Sequence, residues 1–91
     1  MAISTKADES AQQEKISFNS SNSTEVDFET LCTAIILKTD ADVYIAFDRE
    51  ATNDDFLLEV TDLVVNFPVN FTKVSALGAS GTGNLSIIGL R

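Results

Sequence analysis

Histidine and tryptophan are absent from this chain, and cysteine and proline occur once each. Without histidine, the side chain best suited to proton transfer near neutral pH is missing. With Cys32 alone, no internal disulfide can close, and a zinc site has no Cys or His cluster to be built from. Positive charge is scarce as well: six Lys and Arg stand against 14 Asp and Glu, a formal net charge of −8. The cations, Lys6, Lys15, Lys38, Arg49, Lys73 and Arg91, are scattered singly. Nucleic-acid binding needs a basic footprint that displaces counterions from phosphates, and this balance argues against it. Apolar runs such as Ala34 to Leu37 are far too short to span a membrane. The opening "MAISTKADESAQQEK" lacks the apolar stretch of a secretory signal.

What is present is a chain of 91 residues, 44% of them apolar, enough for one small domain with a core. Such a core is marginal, because a chain of about 60 residues buries only about 60% of its unfolded surface and one of about 150 residues about 70%. Small scaffolds usually rely on disulfides, a metal or a partner subunit. The composition leaves oligomerisation, or docking onto a larger assembly, as the expected support. An acidic surface keeps such a particle soluble or faces a basic patch on a protein partner.

Residues 1–13 read as a flexible arm: "STKADESAQQE" is polar and has no large apolar residue. Residues 14–91 read as a single β domain. "KISFN" places Ile16 and Phe18 on one side, and "TEVDFE" does the same with Val26 and Phe28. "LCTAIILKT" is more continuously apolar, as in a strand covered on both faces. "DVYIAFD", "FLLEV", "DLVVNFPV", "FTKVSAL" and "NLSIIGLR" follow, divided by turn signals. "FTKVSAL" puts Phe71, Lys73 and Ser75 on one face and Thr72, Val74 and Ala76 on the other. About eight short antiparallel strands at roughly ten-residue spacing predict an all-β fold, a single small β-sandwich or jelly roll. "DREATNDDFL" has room for a turn of helix.

Gly78, Gly81 and Gly83 give "GASGTGN" the look of a phosphate-binding loop. Such a loop presents backbone amides at a helix N-terminus, with a lysine for the outer phosphates. Here no lysine follows, and "LSIIGL" reads as a strand, so the expectation is a hairpin connection with glycine where φ is positive. The acidic loop with Asp48, Glu50, Asp54 and Asp55 has carboxylates for a hard cation but lacks the EF-hand spacing and its glycine; a solvated turn is the better reading. The carboxylate pairs Asp27 with Glu29 and Asp54 with Asp55 fall on predicted wet surfaces, where no pocket splits their pKa values. Cys32, among apolar neighbours, reads as a core or interface residue. No catalytic residue, cofactor site or metal site is expected, and the chain reads as non-enzymatic. Phe56 and Phe67 read as core if buried and as an interface if exposed.

"DVYIAFDREATNDDFLL" and "NFPVNFTKVSALGASGTGNLSIIG" together resemble the small β-sandwich virion structural proteins of tailed bacteriophages, of the capsid decoration or cement kind. The pattern is a "YIAFD" strand, an "ATxxDFLL" segment and a closing "VxAxGASGTGxLxI" hairpin, and it covers Asp42 to Gly89. The resemblance implies a structural part of the virion, located on the capsid surface and made in the host cytoplasm. It would bind the major capsid protein or another virion protein and stabilise the assembled shell. It also implies a homo-oligomer, with a trimer favoured. Candidate partner-binding residues are then Ile3, Lys6, Glu9 and Gln12 of the arm, with Phe56 and Phe67 of the domain. A tail, connector or head-fibre component is the alternative within the virion. A host-surface or carbohydrate-binding module, with Tyr44 as its aromatic platform, is the alternative outside it.

Overall fold

The computed structural model describes residues 11–91. Six strands run in chain order: β1 (Ala11–Phe18), β2 (Thr24–Thr39), β3 (Val43–Phe47), β4 (Phe56–Leu58), β5 (Leu63–Gly78) and β6 (Gly83–Leu90). They form one antiparallel sheet in the order β1-β6-β2-β5-β3-β4. No helix occurs among the described residues, and "DREATNDDFL" forms a turn instead.

The sequence pattern predicts eight strands where the structure has six, because two predicted pairs are continuous. "TEVDFE" and "LCTAIILKT" are both β2, and "DLVVNFPV" and "FTKVSAL" are both β5. Each of these strands has 16 residues. A straight strand of that length would span roughly 50 Å at about 3.3 Å per residue. The described residues extend only 36 × 26 × 19 Å, so both strands must bend.

Where they bend, the strand pairing slips. Between Asp27 and Cys32, β2 advances five positions while β5 moves only from Lys73 to Phe71. Between Ile35 and Leu37, β5 carries an extra residue, spanning Phe67 to Val64. Glu29, at φ 65°, and Asn66, at φ 52°, adopt left-handed backbone at these irregularities. The Glu29 amide donates to Asp27 Oδ1 at 2.7 Å, which fixes the corner in β2. Such bulges sharpen strand twist and re-aim side chains. They also correct the alternation predicted for "FTKVSAL": Phe71 and Val74 are both fully buried, and the pairing irregularity lies between the Asp27–Lys73 and Cys32–Phe71 pairs.

The bent sheet closes over a single core. Ile16 and Phe18 of β1, Phe28, Ile35 and Leu37 of β2, Val43 and Ile45 of β3, Phe71 and Val74 of β5, and Leu85 and Ile87 of β6 belong to one cluster. Phe28 meets Phe71 edge-on at 5.4 Å between ring centroids, and Phe47 meets Phe71 at 5.3 Å. Cys32 is fully buried in this core.

The glycine segment joins two strands that do not pair with each other. β5 ends beside β3, with Gly78 opposite Val43, while β6 begins beside β1, with Gly83 opposite Phe18. β2 lies between β5 and β6, so the expected hairpin is a crossing connection instead. None of the glycines has positive φ, which also corrects the expected reason for their presence. Close approach takes its place. The Gly78 amide donates to the Asn19 carbonyl at 2.7 Å, and a Cβ on Gly78 would collide with the Gly81 carbonyl oxygen and the Asn19 backbone.

Two measurements check this packing. Phe71→Ala should cost roughly 3–5 kcal/mol, a large part of the stability of a small domain, read as a lower urea midpoint at unchanged slope. Gly78→Ala should lower the melting temperature, whereas Gly81→Ala, whose added Cβ meets nothing within 4 Å, should leave it nearly unchanged.

Candidate interaction surface

Phe56 of β4 and Phe67 of β5 lie far apart in sequence but share one surface. With Leu37, Ile45, Phe47 and Val64 they line an apolar cavity of about 250 Å³. The bulge at Asn66 makes this possible, because it turns Val64 and Phe67 toward the same side of β5. Phe56 is 61% exposed and Phe67 51%. Large apolar groups held in water beside an apolar hollow mark a contact surface more often than a defect.

Sequence reasoning missed the rest of this surface. Leu57, Val60, Leu63 and Val65 are also exposed, and Leu31 stands out on β2. The run "DLVVNFPV" reads simply as a strand, and the structure leaves much of it bare. On the opposite face, Leu63 joins Ile36 and Ile88 in a shallow hollow of about 500 Å³ bordered by Lys15 and Lys38. A signal was available: Pro68 in such a run points to a strand with an unfilled edge.

The remaining candidates lie elsewhere. Ile3, Lys6 and Glu9 fall outside the described residues. Gln12 lies in β1, at the opposite margin of the sheet from β4. Its side-chain amide donates to Glu14 at 2.7 Å and its oxygen accepts from Arg91 at 3.2 Å. Tyr44 borders an open, mostly polar cleft of about 610 Å³ with Ser20 to Ser23, Glu50, Thr52 and Asn53. Burial pushes the Cys32 thiol up from its ordinary pKa, away from the reactive thiolate form.

The acidic loop is a set of backbone clasps. Asp48, in left-handed backbone, accepts the amides of Thr72 and Lys73 at 2.8 and 2.9 Å, tying the β3–β4 connection to β5. Asp55 accepts the Thr52 amide at 2.7 Å and takes both guanidinium nitrogens of Arg49. The same device recurs at other turns: Asp40 accepts from the Asn84 amide, Asp42 from Val60 and Asp62 from Glu59. Hydrogen bonds from Asn84 hold the Asp40 carboxyl below the usual carboxylate range. Those from Thr72 and Lys73 do so for Asp48, and those from Arg49 and Thr52 for Asp55. Among the described residues, no group of three or more Cys, Asp or Glu side chains is placed to hold a metal ion.

No known protein family, curated protein or solved structure matches the chain.

The aspartate clasps set the sign of the pH response. A carboxyl with a depressed folded pKa contributes stability that is fully present above its unfolded value of about 3.9 and is lost as pH falls through the folded one. Asp40, Asp48 and Asp55 all act in this direction, so the melting temperature should hold at neutral pH and fall steeply in strong acid. Asp48→Asn should melt below the parent at pH 7, and the gap should narrow in strong acid, where the parent carboxylate is protonated too. Calorimetry across that range checks both.

Proposed function

We propose that the chain is a non-enzymatic structural protein of a virus particle, a capsid cement or decoration protein that binds and stabilises the assembled shell. The observation that carries this reading is the apolar surface around Phe56 and Phe67 on a body with little core to spare. A small acidic domain with uncovered apolar side chains is suited to a place among other proteins. The likeness of Asp42 to Gly89 to phage virion proteins supplies the kind of assembly. Within this reading the bent sheet is taken as a β-sandwich, a view supported by the left-handed backbone at Glu29 in β2 and Asn66 in β5. Phe56 and Phe67 are assigned to contacts between subunits of a homo-oligomer. Ile3, Lys6 and Glu9, with Gln12 at the start of β1, are assigned to the shell, where the segment before β1 can add a strand to an open sheet edge.

Copy number in purified particles tests the role. Copies comparable in number to shell subunits are expected; a few per particle would point to a tail, connector or head-fibre component, and absence from particles would overturn both. Deleting residues 1–10 leaves the described β1, Ala11–Phe18, in the chain. The shortened protein should keep its melting temperature and bind shells more weakly; unchanged binding would remove the arm from the contact.

A further inference from the structure

Along its first half, β5 has a neighbour on one side only. Leu63 to Phe71 pair with β2, whereas β3 pairs with β5 only from Val74 to Gly78. Among the described residues, no strand fills the β3-side edge of 63–71. Val64 and Phe67 of this stretch also line the apolar cavity, with Leu37, Ile45, Phe47 and Phe56. Apart from Pro68, which has no amide to donate, this is an unfilled row of backbone donors and acceptors next to an apolar hollow, and such an edge is a template for one more strand.

We propose that this place is taken by the same stretch of a second copy, the two β5 strands pairing antiparallel about a two-fold axis. Charge favours a copy of the same chain here. Leu63 to Phe71 carries no charged residue, although the chain as a whole has a net charge of −8. Two such acidic molecules meet along this strip without setting like charges opposite each other. Antiparallel pairing about a two-fold axis is also self-complementary, since each edge offers the other the row it needs.

The area is sufficient for a modest association. Phe56, Val60, Leu63, Val65 and Phe67 are each more than half exposed, and of these Leu63, Val65 and Phe67 lie in the strip itself. A large aromatic side chain carries about 150–250 Å² of coverable surface. These five therefore offer roughly 400–500 Å² per copy, or roughly 800–1,000 Å² for the pair before the backbone is counted. That approaches the lower bound of specific interfaces, about 1,000–1,200 Å². The pairing supplies the partner that a small core without a disulfide calls for. It does not depend on the virion reading, and it gives a two-fold assembly where the phage resemblance implies a three-fold one.

Sedimentation of the purified full chain from micromolar to near-millimolar concentration tests the pairing. The expected mass is 19.6 kDa, twice the 9.8 kDa of one chain. Amide exchange along residues 63–70 should slow as the dimer forms. Phe67→Asp and Val65→Arg, both at exposed positions and checked for folding by circular dichroism, should each raise the dimer dissociation constant at least about tenfold. A single-chain mass at the highest concentration overturns the proposal and leaves the edge to a strand of another protein. A three-fold mass overturns it too. So does a dimer that both substitutions leave intact and that gives no slowing at residues 63–70.

Discussion

Phe28, Phe47 and Phe71 come from three strands, and their contact depends on the bends in β2 and β5. A flat sheet of six strands would leave one whole apolar face in water. Bending two long strands lets the sheet gather its apolar side chains into one cluster, which includes Phe28 and Phe71 in edge-to-face contact. Edge-to-face geometry sets the electropositive rim of one ring against the electronegative face of the other, beyond what burial supplies. Glu29, next to Phe28, carries left-handed backbone at the corner of β2, and Asn66 does so at the second irregularity in β5.

The same bends create the exposed surface. β5 leaves its neighbour β3 at the corner, and past that point its edge and the side chains of Val65 and Phe67 have no cover within the described chain. Closure of the core and exposure of the apolar strip are therefore two results of one distortion. Acidic residues fasten the remaining connections. Asp40, Asp42, Asp48, Asp55 and Asp62 each hold a backbone amide, so part of the negative charge is committed to turn structure.

Strand identity was legible in the sequence, and continuity was not. Period-two alternation in "KISFN" and "TEVDFE" correctly places Ile16, Phe18 and Phe28 in the core. The breaks after Glu29 and near Pro68 look like turns because a bulge and a turn interrupt alternation alike. Only long-range pairing, Lys73 with Asp27 and Phe71 with Cys32, distinguishes them. The glycine segment misleads for a similar reason: Gly78 is required by the Asn19 backbone, a neighbour remote in sequence. For the surface, the sequence offers Phe56 and Phe67 as conditional candidates. Their meeting at one cavity depends on the bulge at Asn66, which alternation does not reveal.

The position of β6, one strand in from the sheet edge, also governs how the molecule can be made. β6 lies between β1 and β2, and β1 pairs with β6 alone, Ala11 opposite Leu90. A ribosome delivers β1 long before that partner exists. Ile16 and Phe18 therefore have no completed sheet to join until β6 has emerged, and the ladder holding β1 then closes over all the residues between Ala11 and Leu90.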